Sequence, residues 1–300
     1  MQTLPCCLSL WKLPPKQLNV VFLVVSFALF GHATGVRAQT HDAFVPIVGE
    51  DKLLGGVRHG KWLPEAAAHR FVKGGEKYRF YGLSGLAQVQ IGGKAEFHDS
   101  EGRNGYYISS FTPPLSEKDK SSGETTIGFA GSWNPQPRKP RLEDVHQQVY
   151  LDAVAAVLTA HGLPHAKPHI RSIVRIDLDG KGTDSVVIDA VSPDEYGTTD
   201  GYQPTTNSYS FILLRTVVHG KMKSTVIVGA FYKKPLVGDN KTKDSIRDVE
   251  HHRLVAILDL NGDGALEIVT HEIYFEGWGF TVYQVTDGKV TKALESGDGV

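Results

Sequence analysis

HIRSIVRIDLDGKGTDSVVIDAV, residues 169–191, and EHHRLVAILDLNGDGALEIVTHE, residues 250–272, are two versions of one pattern. Each has an alternating apolar run, a turn opened by Asp-Leu-Asp-Gly or Asp-Leu-Asn-Gly, and a second alternating run. Alternation with period two turns one face of each run inward, so each copy reads as strand, loop, strand. Downstream, FILLRTVVHGKMKSTVIVG (211–229) matches FTVYQVTDGKVTKALESG (280–297) as two strands joined by His-Gly or Asp-Gly followed by Lys. Such dipeptides suit a two-residue hairpin. The repeat units therefore span 169–229 and 250–297, about four strands each, and the first carries an extra polar loop at 192–208.

The expected fold is mainly β, with two blade-like antiparallel four-strand units. Two units are too few to close a propeller, which needs at least about four blades. One amphipathic helix is expected to cover them. In LEDVHQQVYLDAVAAVLTAHG, apolar Val145, Val149, Ala153, Ala156 and Val157 recur at helical spacing, Glu143 and Asp144 occupy the first turn, and Gly162 closes the element. That places the helix over 143–161. The domain it begins runs over 143–300.

Upstream, short alternating runs at 78–83, 87–91, 106–110 and 125–130 predict a small β-rich region over 44–134. LSEKDKSSGE (115–124) is a polar connection. WNPQPRKPR (133–141) has prolines at spacings that forbid a regular element, and a stiff linker is expected at 135–142. The first 38 residues read as a signal peptide: Lys12 and Lys16 precede an apolar run at 18–30, and Val36-Arg37-Ala38 offers a small residue for cleavage. After cleavage no integral membrane span is expected, and the localisation is secreted, periplasmic or extracellular.

The only cysteines, Cys6 and Cys7, lie in that leader, so the mature chain is expected to be stable without disulfides. Without Lys12, Lys16 and Arg37 the 32 basic residues fall to 29 against 33 acidic, a net charge of −4. So mild a balance argues against a nucleic-acid binder.

DLNGDGALE (259–267) carries the clearest chemistry. Asp259, Asn261 and Asp263 alternate, Gly264 follows, and Glu267 occupies the ninth place. Short oxygen side chains at this spacing wrap a hard cation, with the Ala265 carbonyl as a further ligand. An EF-hand would need a Glu at the twelfth place, which is Thr270, and its flanks would be helices. In the first copy Lys181 and Ser185 replace the fifth and ninth ligands. That loop is expected to bind no calcium, with the Lys181 ammonium bridging Asp177 and Asp179.

The loop pattern with its apolar flanks resembles the FG-GAP or VCBS-type repeats of integrin-like propellers and bacterial exported proteins. The whole C-terminal half, roughly 140–300, resembles uncharacterised bacterial exported proteins with two such repeats. The resemblance implies one structural Ca2+ site in an extracytoplasmic β module, usually without catalysis.

Other constellations are weaker. Arg58-His59-Gly60 sits among glycines and reads as a turn. His161, His165 and His169 are separated by helix breakers. His251, His252, His271 and Glu272 read as a solvated edge, because adjacent strand residues point to opposite faces. Tyr274 to Phe280, with two glycines around Trp278, reads as a hairpin with core aromatics or as an exposed platform. No Walker loop, GxSxG elbow or HExxH occurs. The functional expectation is a non-enzymatic module that binds a protein or carbohydrate ligand. The alternatives are a hydrolase with a site between the two regions, and a structural envelope subunit.

Overall fold

The computed structural model describes residues 43–99, 105–114, 126–193, 206–234, 250–274 and 277–298. The signal-peptide and 115–124 readings lie outside the described residues, as does most of the 192–208 loop. The described residues fall within one compact unit. The fold is mainly β, with sixteen strands in antiparallel sheets and two short α-helices among the described residues. No helix there is long and apolar enough to cross a membrane.

The N-terminal strands are β1 (Val45–Gly49), β2 (Lys52–Arg58), β3 (Lys61–Pro64), β4 (Lys77–Gly82), β5 (Gly85–His98), β6 (Tyr106–Thr112) and β7 (Ile127–Phe129), with the one-turn helix α1 (Glu65–Ala68) after β3. They form one sheet in the order β1-β7-β4-β5-β6-β2-β3, and β1 also pairs with β2. The β2–β6 seam is a single residue pair, Lys52↔Ile108. The sheet thus curls back on itself, with β2–β6 as its thinnest seam. Val48, Leu53, Tyr78, Phe80 and Phe111 fill the curl. Arg58-His59-Gly60 leads into the β2–β3 turn, where His59 and Gly60 adopt positive φ.

The first repeat unit supplies β9 (Ile170–Ile176), β10 (Ser185–Val191), β11 (Tyr209–Val218) and β12 (Lys221–Phe231), to which the two-residue β8 (Arg141–Leu142) adds an edge. The second supplies β13 (Glu250–Leu258), β14 (Glu267–Tyr274), β15 (Gly277–Thr286) and β16 (Lys289–Asp298), paired in chain order. Both hairpins turn through two residues with positive φ, His219-Gly220 and Asp287-Gly288. That is the type I′ geometry that matches strand twist.

The hydrophobic clusters order these elements into layers. Val187, Ile212 and Leu214 of one sheet pack on Leu254, Ile257 and Ile268 of the other. The far side of the second sheet, with Val255, Val269, Phe280 and Leu294, shares a core with Ile47, Ile127 and Phe129 of the curled sheet. The chain crosses between these bodies through 133–141.

Helix α2 (Gln148–Ala160) covers the outer face of the first unit. It starts five residues later than the 143–161 expectation. The Asp144 carboxylate accepts the His146 N–H (2.9 Å), a local turn that competes with the helix. The buried stripe is Tyr150, Val154 and Leu158, one position on from the Val149 stripe, and Val149 is exposed. Tyr150 and Leu158 bring more apolar surface to the sheet than the valine and alanines of the alternative face. Gly162 ends the helix as expected. At φ +83° it allows Leu163 N–H to reach Leu158 O (2.8 Å) and its own N–H to reach Thr159 O (3.0 Å), a Schellman motif.

Candidate metal centre

The two strand-loop-strand turns, 177–184 and 259–266, share one backbone. In the second, Asp259 accepts Gly262 N–H (2.7 Å) on one oxygen and Gly264 N–H (3.1 Å) on the other. In the first, Asp177 accepts Gly180 N–H (2.9 Å) and Gly182 N–H (2.8 Å) in the same way. All four glycines have positive φ. The opening aspartate and the glycines therefore set the turn, whatever occupies the fifth and ninth places.

Asn261 accepts Asp263 N–H (2.9 Å), and Asp263 accepts Ala265 N–H (2.8 Å). Glu267, the first residue of β14, is 1 % exposed and accepts Leu260 N–H (2.8 Å), with Gln284 Nε2 at 3.4 Å. Burial pushes the Glu267 carboxyl well above the usual range, and Asp263 and Asp259 push it further. Burial also raises Asp259, against the Gly262 and Gly264 amides.

Among the described residues no three His, Cys, Asp or Glu side chains form a group that would hold a metal ion. The carboxylates are turned to the loop's own amides. The donor set still suits a hard cation: three carboxylates and an amide oxygen lie on one nine-residue turn, and no Lys or Arg among the described residues is ion-paired with the enclosed Glu267. A cation there would be held by Asp259, Asn261, Asp263, Glu267 and the Ala265 carbonyl. It would neutralise the charge that burial disfavours.

In the first loop Lys181 Nζ reaches only one of the two expected aspartates, Asp179 at 3.0 Å. Asp177 accepts the two glycine amides and acts on the ammonium through its charge. Glu267 has no counterpart there. Ser185 stands in its place and donates to Thr216 Oγ1 (2.8 Å).

The proline-rich stretch does more than tether. Trp133 Nε1 donates to Asp259 O (2.9 Å), and Asp259 N–H donates to Pro135 O (2.7 Å). Arg138 donates to Asp177 O (2.6 Å) and Leu178 O (3.2 Å) in one loop and to Gly264 O (2.6 Å) in the other. Leu266 N–H meets Leu178 O directly (2.8 Å). One strap thus pins both turns together. Proline spacing reveals its stiffness but not where its arginine lands.

The histidines expected at a solvated edge are instead partly or fully covered, His251 by Arg171 of the neighbouring sheet and His271 by Trp278 and Phe280 of its own. His252 is fully buried, and Arg171 Nη2 lies 2.7 Å from His251 Nε2, which must therefore accept and be unprotonated. Arg171 also forms a double contact with buried Asp189, both at 3.2 Å. Strand β13 is an edge within its own sheet, but the other sheet packs over it, and that contact is invisible in local pattern. Burial, then Arg171 and Arg253, lower His251 to about 3; burial, then Arg253, lower His271 to about 4.

A histidine depressed in the fold gives stability that is complete above its unfolded value near 6.5 and is lost as pH falls toward the folded value. His271 should therefore make the protein acid-sensitive between pH 6.5 and 4, by roughly 2 kcal/mol after allowance for solvent screening of a partly exposed ring. Its ring lies 4.7 Å from Phe280, so phenylalanine fits the site. Urea midpoints across this range should fall less steeply for His271→Phe than for wild type. Parallel profiles would exclude the assignment.

The aromatic stretch has no free platform at Trp278. The Lys52 ammonium, fully buried, lies 4.8 Å from the Trp278 ring and 3.9 Å from that of Tyr106. Burial lowers Lys52 to about 8, opposed by Glu65, Asp298 and Asp51. The protein's own cation covers the face that a ligand would need.

No family model, no curated protein and no solved structure matches this chain. The likeness to calcium-loop repeats therefore stands on the loop pattern and its flanking strands alone.

Proposed function

We propose that this is an exported, non-enzymatic β module, built around two blade-like four-strand units of which the first lies under a helix, and that its 259–267 loop takes one structural Ca2+. It acts by binding a protein or carbohydrate ligand in the cell envelope or extracellular space. The observation that carries the metal reading is Glu267: an enclosed carboxylate at the base of an Asp-Asn-Asp turn, with two further carboxylates close by and only neutral partners. A buried charge without a counter-ion is costly, and a divalent ion removes that cost. The absence of any named catalytic constellation in the sequence supports a binding role over a hydrolase.

Thermal unfolding with calcium and with a chelator tests this. Extracellular modules bind calcium with Kd of about 10⁻⁴ to 10⁻³ M. At about 10 mM ion, mass action then stabilises by roughly 1.4 to 2.7 kcal/mol. For a protein of this size the melt should rise by about 3 to 10 °C. Glu267→Ala should abolish the rise. An equal melting temperature of wild type in calcium and in chelator would refute the structural ion.

A further inference from the structure

A cavity of about 220 Å³ lies between the 177–184 loop and the tips of the two hairpins, 216–219 and 285–288. It is remote in sequence from the 259–267 loop and belongs to the copy that lost its acidic ligands. Its lining combines aliphatic Leu178, Val217, Val218 and Val285 with polar Asp179, Lys181, Thr183, His219 and Asp287.

The site is built rather than incidental. Lys223 Nζ donates to Gly288 O (2.8 Å), tying one hairpin to the other. Ser185 Oγ donates to Thr216 Oγ1 (2.8 Å) at the strand edge below. The walls therefore hold their spacing without a ligand, which lowers the ordering cost of binding.

The charges select the ligand class. Asp179 is paired with Lys181 (3.0 Å), and Asp287 is a second carboxylate in the lining, next to the Gly288 carbonyl that accepts from Lys223. The one carboxylate beyond the Asp179–Lys181 pair disfavours an anion and is too small a ligand set for a hard cation. The lining also offers acceptors (Asp179, Asp287), a donor (Lys181) and groups that do both (Thr183, His219). A neutral ring whose hydroxyls both donate and accept, and whose C–H face lies on aliphatic walls, meets all of these features. The volume is below that of ordinary drug-sized pockets, which limits the occupant to a single ring.

We propose that this cleft binds one pyranose unit, free or at the end of a glycan. The proposal rests on the binding role given above and supplies its location and ligand class.

Methyl-resolved NMR of the full chain, titrated with D-glucose, D-galactose, D-mannose and N-acetyl-D-glucosamine, tests it. At least one sugar should give saturable shifts of the Val218 and Val285 methyls at millimolar concentrations. Asp287→Asn keeps a residue that tolerates the positive φ of the turn and should weaken binding about tenfold. Val217→Lys, at a position 40 % exposed, should fill the cleft and abolish binding while the fold persists. No saturable shift with any of the four sugars would overturn the proposal, as would shifts that survive Val217→Lys. The calcium melt is read separately, so loss of the metal reading and loss of the sugar site give different results.

Discussion

Asp189→Ala is expected to lower the unfolding free energy by about 3 to 5 kcal/mol, because it leaves the Arg171 guanidinium in the interface between two sheets without its counter-ion. Asp189 is 1 % exposed and the Arg171 side chain 11 %. The carboxylate also accepts Leu254 N–H (3.0 Å) from the opposite sheet, so its loss strands a buried donor as well. The same arginine contacts His251 Nε2 and His252 O (3.3 Å), and Ser210 Oγ donates to that carbonyl (3.1 Å). Replacing both charges with apolar residues, Arg171→Met with Asp189→Leu, should cost far less than Asp189→Ala alone. A buried pair is dear to break but contributes little net stability against well-packed apolar groups. Urea unfolding of the two singles and the double gives the coupling energy directly. An Asp189→Ala midpoint within 1 kcal/mol of wild type, by about the usual m-value for this size, would show that the interface is wet rather than enclosed.

The second large effect is expected at Arg138. Its fork donates to three carbonyls in two separate turns, and bonds from a charged donor contribute about 1.5 to 3 kcal/mol each when enclosed. The site is only partly buried and the contacts are not additive, so Arg138→Ala should cost about 2 to 4 kcal/mol. Arg138→Lys should recover less than half of this, since a single ammonium cannot reproduce the planar fork that spans both turns. Chemical denaturation measures both. If lysine restored full stability, the fork geometry would be irrelevant, and a single positive charge near Asp259 would explain the residue.

Local periodicity carried much of this architecture. The strands of both repeats follow from alternation, the hairpin tips from His-Gly and Asp-Gly, and the helix end from Gly162. What escaped was whatever depends on residues distant in the chain. The curled order β1-β7-β4-β5-β6-β2-β3 leaves no local signature, and the Gly55-Gly56 pair in β2 hides a strand behind turn-forming residues. The helix began late because an Asp144 turn outcompeted acidic first-turn residues, and its buried stripe was decided by the sheet beneath. In the candidate metal loop, spacing named the donors, and the structure added the enclosure of Glu267 and the grip of Trp133 and Arg138. The histidines of β13 and β14 were misjudged because strand alternation assigns faces but not what lies against them.

The shared core of the curled sheet and the last strands has a kinetic consequence. Ile47 and Phe129 pack with Phe280 and Leu294, and Glu65 accepts Ser296 Oγ (2.6 Å) across 231 positions of sequence. The N-terminal strands precede the last hairpin in the chain, and their outer face has no cover until that hairpin exists. Contacts of such separation are slow to form, because loop closure must precede the burial that rewards it. The shared core should therefore form late, once β15 and β16 are paired, while the interior of the curl can close earlier.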